Sequence, residues 1–258
     1  MTDVYEQLQV AQQAARTAGE FLAAHFSSAK QVDAEYLHDV KLRLDRETQD
    51  IITDMLKRRF PQDAVLGEEG TQGDVESAER VWIIDPLDGT VNYFYGLPLF
   101  CVSVALYEHG KPLLGCVYDP MQRGCFCAVA GQEARLNGSV IHVSARAALS
   151  EAVVFIGHGT HDGSGEEGIR RFARISRRVR KIRILGSAAL SLCYIAAGRM
   201  DAYVENRINL WDFAAARIIL EAAGGSLIYT PHSPDGISGS VTAWNGRIPI
   251  VEALEATD

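Results

Sequence analysis

The chain has 258 residues, 47% hydrophobic and 22% charged, with its Gly and Pro scattered without a period; collagen-like, low-complexity and disordered classes are excluded, and one or two globular domains are expected. Its 25 Lys and Arg against 33 Asp and Glu leave a formal charge of −8, which disfavours nucleic acid and anionic membrane as general partners, so an anionic substrate would need local cations. No apolar run approaches the ~18 residues of a membrane span and the start, MTDVYEQLQV, lacks the basic and apolar blocks of a signal peptide, so a cytoplasmic location is expected.

In chain order, Val4, Leu8, Ala11, Ala15, Ala18, Leu22 and Phe26 recur at spacings of three and four, the stripe of an amphipathic helix that packs on a sheet. A polar connector leads to a second helix from about Asp45 to Arg59, stopped by Pro61. From Val81 the text reads as strands, VWIID, LFCVSVALY, LLGCVYD and GCFCAVA, closing on a hairpin signal at Asn137-Gly138. Short turns between them predict an antiparallel sheet. After about Ser144 strands and helices alternate: AVVFIG, a helix over 166–179, KIRIL, a helix over 187–197, DAYVE, a helix over 212–223, then GSLIYT. Alternation predicts crossovers and a mixed sheet, and the change of grammar divides the chain into halves 1–145 and 146–258 within one compact body. The five cysteines, at 101, 116, 125, 127 and 193, are odd in number and lie mostly in strand-like text; reduced core thiols are expected.

The chemistry concentrates in residues 82–98, where an apolar strand runs into Asp85-Pro86-Leu87-Asp88-Gly89-Thr90. Two carboxylates this close repel one another and are costly to desolvate, and a divalent cation is the usual remedy. Pro86 stiffens the turn, Gly89 permits close backbone approach, and N–H groups at Gly89 and Thr90 could face an anion if a helix begins there. Gly67-Glu68-Glu69-Gly70 adds adjacent acids upstream. Trp211-Asp212 opens a helical stretch that Gly224 can end.

In this order the motifs resemble those of the Mg²⁺-dependent inositol monophosphatase family, within the lithium-sensitive sugar and nucleotide phosphatases. The match spans nearly the whole chain: an initial helix pair, G-E-E at 67–69, D-P-L-D-G-T at 85–90, G-S-A-A at 186–189 and W-D-F-A-A…E-A-A-G-G at 211–225. The resemblance implies a layered αβαβα sandwich combining α+β and α/β halves, antiparallel in the first sheet and mixed in the second, assembled as a homodimer. It implies that Glu68, Asp85 and the Leu87 carbonyl hold one Mg²⁺ and that Asp85, Asp88 and Asp212 hold a second. Glu69 and Thr90 would orient or activate the attacking water, and Asp45 would complete the rim where relatives bind a third, weaker ion; Mn²⁺ could substitute. Asp88, Gly89, Thr90, Ala188, Glu205 and Asp212 would contact a small phosphorylated polyol or sugar. Two positions depart from the pattern, Leu42 where Thr is usual and Ala34 where a loop Lys is usual.

Inositol 1-phosphate is the expected substrate, with fructose 1,6-bisphosphate, histidinol phosphate and nucleotide 3′-phosphates as alternatives, since all need the same metal site. A haloacid-dehalogenase phosphatase would need a nucleophilic Asp at position 86, where Pro stands. The basic stretch 170–183 could serve a non-catalytic binding protein, but its arginines read as the solvated face of an amphipathic helix. His158 and His161 read as part of a flexible glycine loop, and Cys125 and Cys127 as core packing on one strand face.

Overall fold

The computed structural model describes residues 3–35, 40–157 and 165–255. His158 and His161 lie outside the described residues. The first helix, Val4–His25, is capped by the Asp3 carboxylate, which accepts from the Tyr5 N–H at 3.0 Å. Its buried stripe is small: Ala11, Ala14, Ala15 and Ala18, followed by Leu22. Small side chains let the helix lie close on the first sheet, over the strands Cys101–Glu108 and Lys111–Asp119, in a core that includes Val104 and Cys116. The helix Arg43–Arg59 packs beside it and covers the same sheet face.

That sheet has eight strands. From one edge to the other they are Ser139–Val140, Arg135–Leu136, Gly124–Val129, Lys111–Asp119, Cys101–Glu108, Arg80–Asp88, Ala64–Gly67 and Gly70–Gln72. Its opposite face carries the helices Ala188–Ala196 and Leu210–Ala222, which form the middle layer and whose apolar faces are buried all round. Gly115 permits the closest approach, because a Cβ there would stand 2.3 Å from the Ala215 carbonyl oxygen. A five-stranded sheet follows, ordered Lys181–Arg183, Val153–Ile156, Ala202–Asn209, Ser238–Trp244, Ser226–Pro231. Ile175, Val179, Ile250 and Ala253 close its far side from the helix Gly165–Ser176, the residues just after it and the helix Ile250–Glu255. The layers therefore run αβαβα, as the resemblance implies.

Several expectations are refined. The first sheet is not wholly antiparallel: Ala64–Gly67 pairs in parallel with Arg80–Asp88, because the chain between them doubles back as the antiparallel edge strand Gly70–Gln72 and then returns through residues 73–79 to enter Arg80–Asp88 on the original heading. The connector before that helix contains a two-stranded hairpin, Val32–Glu35 with Val40–Leu42, and the helix starts at Arg43 rather than Asp45. Glu205 does not end its strand; the strand runs to Asn209, with an irregularity in register between Glu205 and Ile208. Asn137 and Gly138 take positive φ, 50° and 84°, as their hairpin requires. All five cysteines are buried and none is in a disulfide, although the Cys116 and Cys125 sulfurs lie 3.8 Å apart in a thiol hydrogen bond. Among the described residues no helix is long and apolar enough to cross a membrane.

Candidate metal centre

The strand Arg80–Asp88 is interrupted in its pairing with Cys101–Glu108 between Asp85 and Asp88. The bulge contains Pro86, which has no N–H to give to the ladder, and it re-aims the strand end. Gly89 follows at φ 96°, with a prospective Cβ position only 2.8 Å from the Leu99 carbonyl oxygen. This left-handed step starts the short helix Thr90–Phe94. Across the cavity, Asp212 sits in the first turn of Leu210–Ala222, where its Oδ2 accepts from the Asn209 N–H at 2.8 Å. Glu68 lies in the turn after Ala64–Gly67. Gln49 clamps that turn, accepting from the Glu69 N–H at 2.9 Å and donating to the Gly70 carbonyl at 3.0 Å.

Glu68, Asp85 and Asp212 each bring a carboxylate oxygen to within 4.8 Å of the other two. They share a cavity of about 380 Å³ with Leu87, Asp88, Gly89, Thr90, Ala188 and Glu205. Burial pushes the Asp85 and Asp212 carboxyls well above the ordinary carboxylate range, and the neighbouring charge of Glu68 adds to it. Three convergent, desolvated acids with only hard oxygen donors suit a divalent cation such as Mg²⁺. The residues present thus fit the ion that the sequence implies.

Asp88 is placed differently. Its Oδ2 accepts from the Ser187 hydroxyl and from the Ala189 N–H at 2.8 Å, with the Cys101 thiol at 3.4 Å, while Oδ1 accepts from the Ala188 N–H at 3.1 Å. The carboxylate therefore caps the N-terminus of Ala188–Ala196, where the helix dipole favours an anion, and only Oδ1 keeps a lone pair for a cation. Burial raises its pKa and these bonds offset part of the rise. Ala188 spends its N–H on Asp88. The Thr90 hydroxyl donates to the Leu87 carbonyl at 2.9 Å, so Gly89, and not Thr90, is the helix cap. Glu205 accepts from the Tyr203 hydroxyl at 3.3 Å and from the Asn206 N–H at 3.1 Å.

Asp45 and Glu69 do not line the cavity; they stand beside it, with their charges acting on each other. Asp45 accepts from the Leu42 N–H at 2.7 Å through Oδ2, while its buried Oδ1 has no hydrogen-bond partner. Two residues escaped the sequence reading. Ser187 lies inside the G-S-A-A motif, and its position before a helix was the available signal. Lys41, in the text before Asp45, gave none: its ammonium lies 2.7 Å from Glu69 Oε1.

The buried acids make the metal-free protein sensitive to pH. Asp45 rises from an ordinary 3.8 to about 8 through burial, and Asp85 and Asp212 shift the same way. A raised folded-state value means that the folded protein holds protons the unfolded chain releases. That contribution is complete below the unfolded value and is lost as pH climbs through the folded one. Metal-free protein should therefore melt at least about 5 °C lower at pH 8 than at pH 5.5, with Mg²⁺ removing most of the difference. Thermal unfolding with and without chelator measures this; equal melting points at both pH values in chelator contradict it.

Comparison with known proteins finds relatives over most of the chain. The model of the inositol monophosphatase family matches residues 3–254. A Thermotoga maritima protein named fructose-1,6-bisphosphatase/inositol-1-monophosphatase is 40% identical over 211 residues, 81% of this chain and 79% of that one. Inositol monophosphatase 3 of Solanum lycopersicum is 36% identical over 92% of this chain and 89% of its own length. Among solved structures, the extragenic suppressor protein suhB of Bartonella henselae superposes with a TM-score of 0.91 at 32% identity, covering 98% of this chain and all of that one.

Proposed function

Because the chain belongs to the inositol monophosphatase family and is a phosphoric monoester hydrolase, we propose that its substrate is inositol 1-phosphate, cleaved to inositol and inorganic phosphate with Mg²⁺ in the acid cluster. The observation that carries this reading is the convergence of Glu68, Asp85 and Asp212 beside the Asp85–Thr90 turn in one cavity. Glu68, Asp85 and the Leu87 carbonyl would hold one ion; Asp85, Asp88 through Oδ1, and Asp212 would hold a second. When bound, Mg²⁺ neutralises the phosphoryl oxygens, stabilises the leaving oxygen and acidifies a water.

The chain's own groups do the rest. Backbone N–H groups at Gly89 and Thr90 face the phosphate, and the bulge fixes them at the strand end. Thr90 donates to the Leu87 carbonyl, so its lone pairs are left to accept from the attacking water and set its line of approach. Glu69 takes the water's proton through Oε2, Oε1 being held by Lys41. Glu205, beside Tyr203, accepts hydroxyl hydrogens of the polyol. Ala188 lies at the polyol wall, and the middle-layer helix it begins holds Asp88 in place. The protein works as a homodimer.

Thr90→Ala separates water positioning from structure. Since Gly89 caps the helix, loss of the hydroxyl should cost only its bond to the Leu87 carbonyl, about 0.5–1.5 kcal/mol of stability. Turnover should fall at least about tenfold, or roughly 1.4 kcal/mol of transition-state stabilisation, with KM little altered. Unchanged turnover beside a lowered melting point would return Thr90 to a structural role.

A second substrate, fructose 1,6-bisphosphate, is favoured by one observation: Arg207 lines the same cavity and could meet a second phosphate. Phosphate release from inositol 1-phosphate, fructose 1,6-bisphosphate, histidinol phosphate and adenosine 3′,5′-bisphosphate under Mg²⁺ tests the assignment. The highest kcat/KM is expected for inositol 1-phosphate; a tenfold or greater preference for another ester overturns it.

A further inference from the structure

Lys41 lies in the short strand Val40–Leu42, whose flanking side chains, Val40 and Leu42, are both in the core. Strand alternation sends Lys41 to the opposite face, toward the acid rim. There its ammonium lies 2.7 Å from Glu69 Oε1, and the charges of Glu68 and Asp45 also act on it. Its side chain is 35% exposed and that of Glu69 only 8%, so the pair closes the rim from the solvent side. Three acids at the edge of the metal cluster therefore already face a covalently tethered cation.

We propose that Lys41 is a positioning residue that takes the place of a third metal ion: its ammonium neutralises the Asp45–Glu68–Glu69 rim and holds Glu69 by one oxygen. The inference rests on the metal-centre reading above and adds a stoichiometry to it. Burial works against the Lys41 charge, but its bond to Glu69 and the charges of Glu68, Glu69 and Asp45 together outweigh that cost and keep it an ammonium, whereas a dication beside it meets like-charge repulsion and must also displace the Glu69 bond. The strand's buried neighbours keep the ammonium from swinging away. The centre then works with two ions, and Glu69 keeps its orientation without a third.

Counting bound Mn²⁺ per chain by electron paramagnetic resonance, at about 1 mM free ion, reads this directly. The wild type should hold two ions and Lys41→Arg two. Lys41→Met and Lys41→Gln, which remove the charge at a partly exposed site, should each hold three. Three ions in the wild type, or two in both neutral variants, overturn the inference while leaving the metal centre intact. Fewer than two ions in folded wild type overturn the metal centre itself, and this inference with it.

Discussion

Asp85→Asn should lower phosphate release at saturating Mg²⁺ by at least about a thousandfold, roughly 4 kcal/mol of transition-state stabilisation. The reason is positional. Asp85 stands at the end of the Arg80–Asp88 strand, within reach of Glu68 and Asp212, and is the acid that both proposed ions share. Its neutralisation removes one ligand from each ion with almost no change in volume. The same change should raise the melting temperature of metal-free protein, because it removes a carboxylate that is costly to bury and that repels Glu68, Asp88 and Asp212. Lower activity with higher metal-free stability is the signature of a functional acid. Wild-type turnover, or a loss of stability as large as that of activity, contradicts it.

Asp88→Asn should cost both. Turnover is expected to fall at least about a hundredfold if Oδ1 is a ligand of the proposed second ion. Stability should fall by about 1–3 kcal/mol as well. Either orientation of the amide turns an N–H₂ toward donors: Ser187, Ala189 and Cys101 on one side, or Ala188 on the other. Chemical denaturation together with turnover per folded molecule separates the two losses. An Asp88→Asn protein as stable as wild type would show that Asp88 does not hold the helix Ala188–Ala196 in solution. One as active as wild type would remove it from the second site.

The contrast between these neighbours shows what could be read in the sequence. D-P-L-D-G-T marks a metal-plus-phosphate site because acid spacing after an apolar strand is a local pattern, and with G-E-E and W-D in order it carries the family resemblance. The helix pair and the strand grammar are local too, and the layers follow from them. The helix cap on Asp88 is not local: Ser187 and Ala188 lie about a hundred residues away, and no periodicity reports such a pairing. The parallel strand Ala64–Gly67 has four residues, too few for its direction to be inferred, and Ser238–Trp244 is written in small residues, with only Val241 and Ala243 marking its inner face. Lys41 escaped notice for a related reason: one Lys between two apolar residues looks like the solvent side of any strand. Only the fold shows that this side faces the acids.

The most direct measurement follows phosphate release from inositol 1-phosphate by chelator-stripped protein as Mg²⁺ is added back. The acid cluster, bare, presents like charge to an anionic ester. The expected result is no release in excess chelator and full recovery with Mg²⁺, in wild type but not in Asp85→Asn. Undiminished release in excess chelator contradicts it.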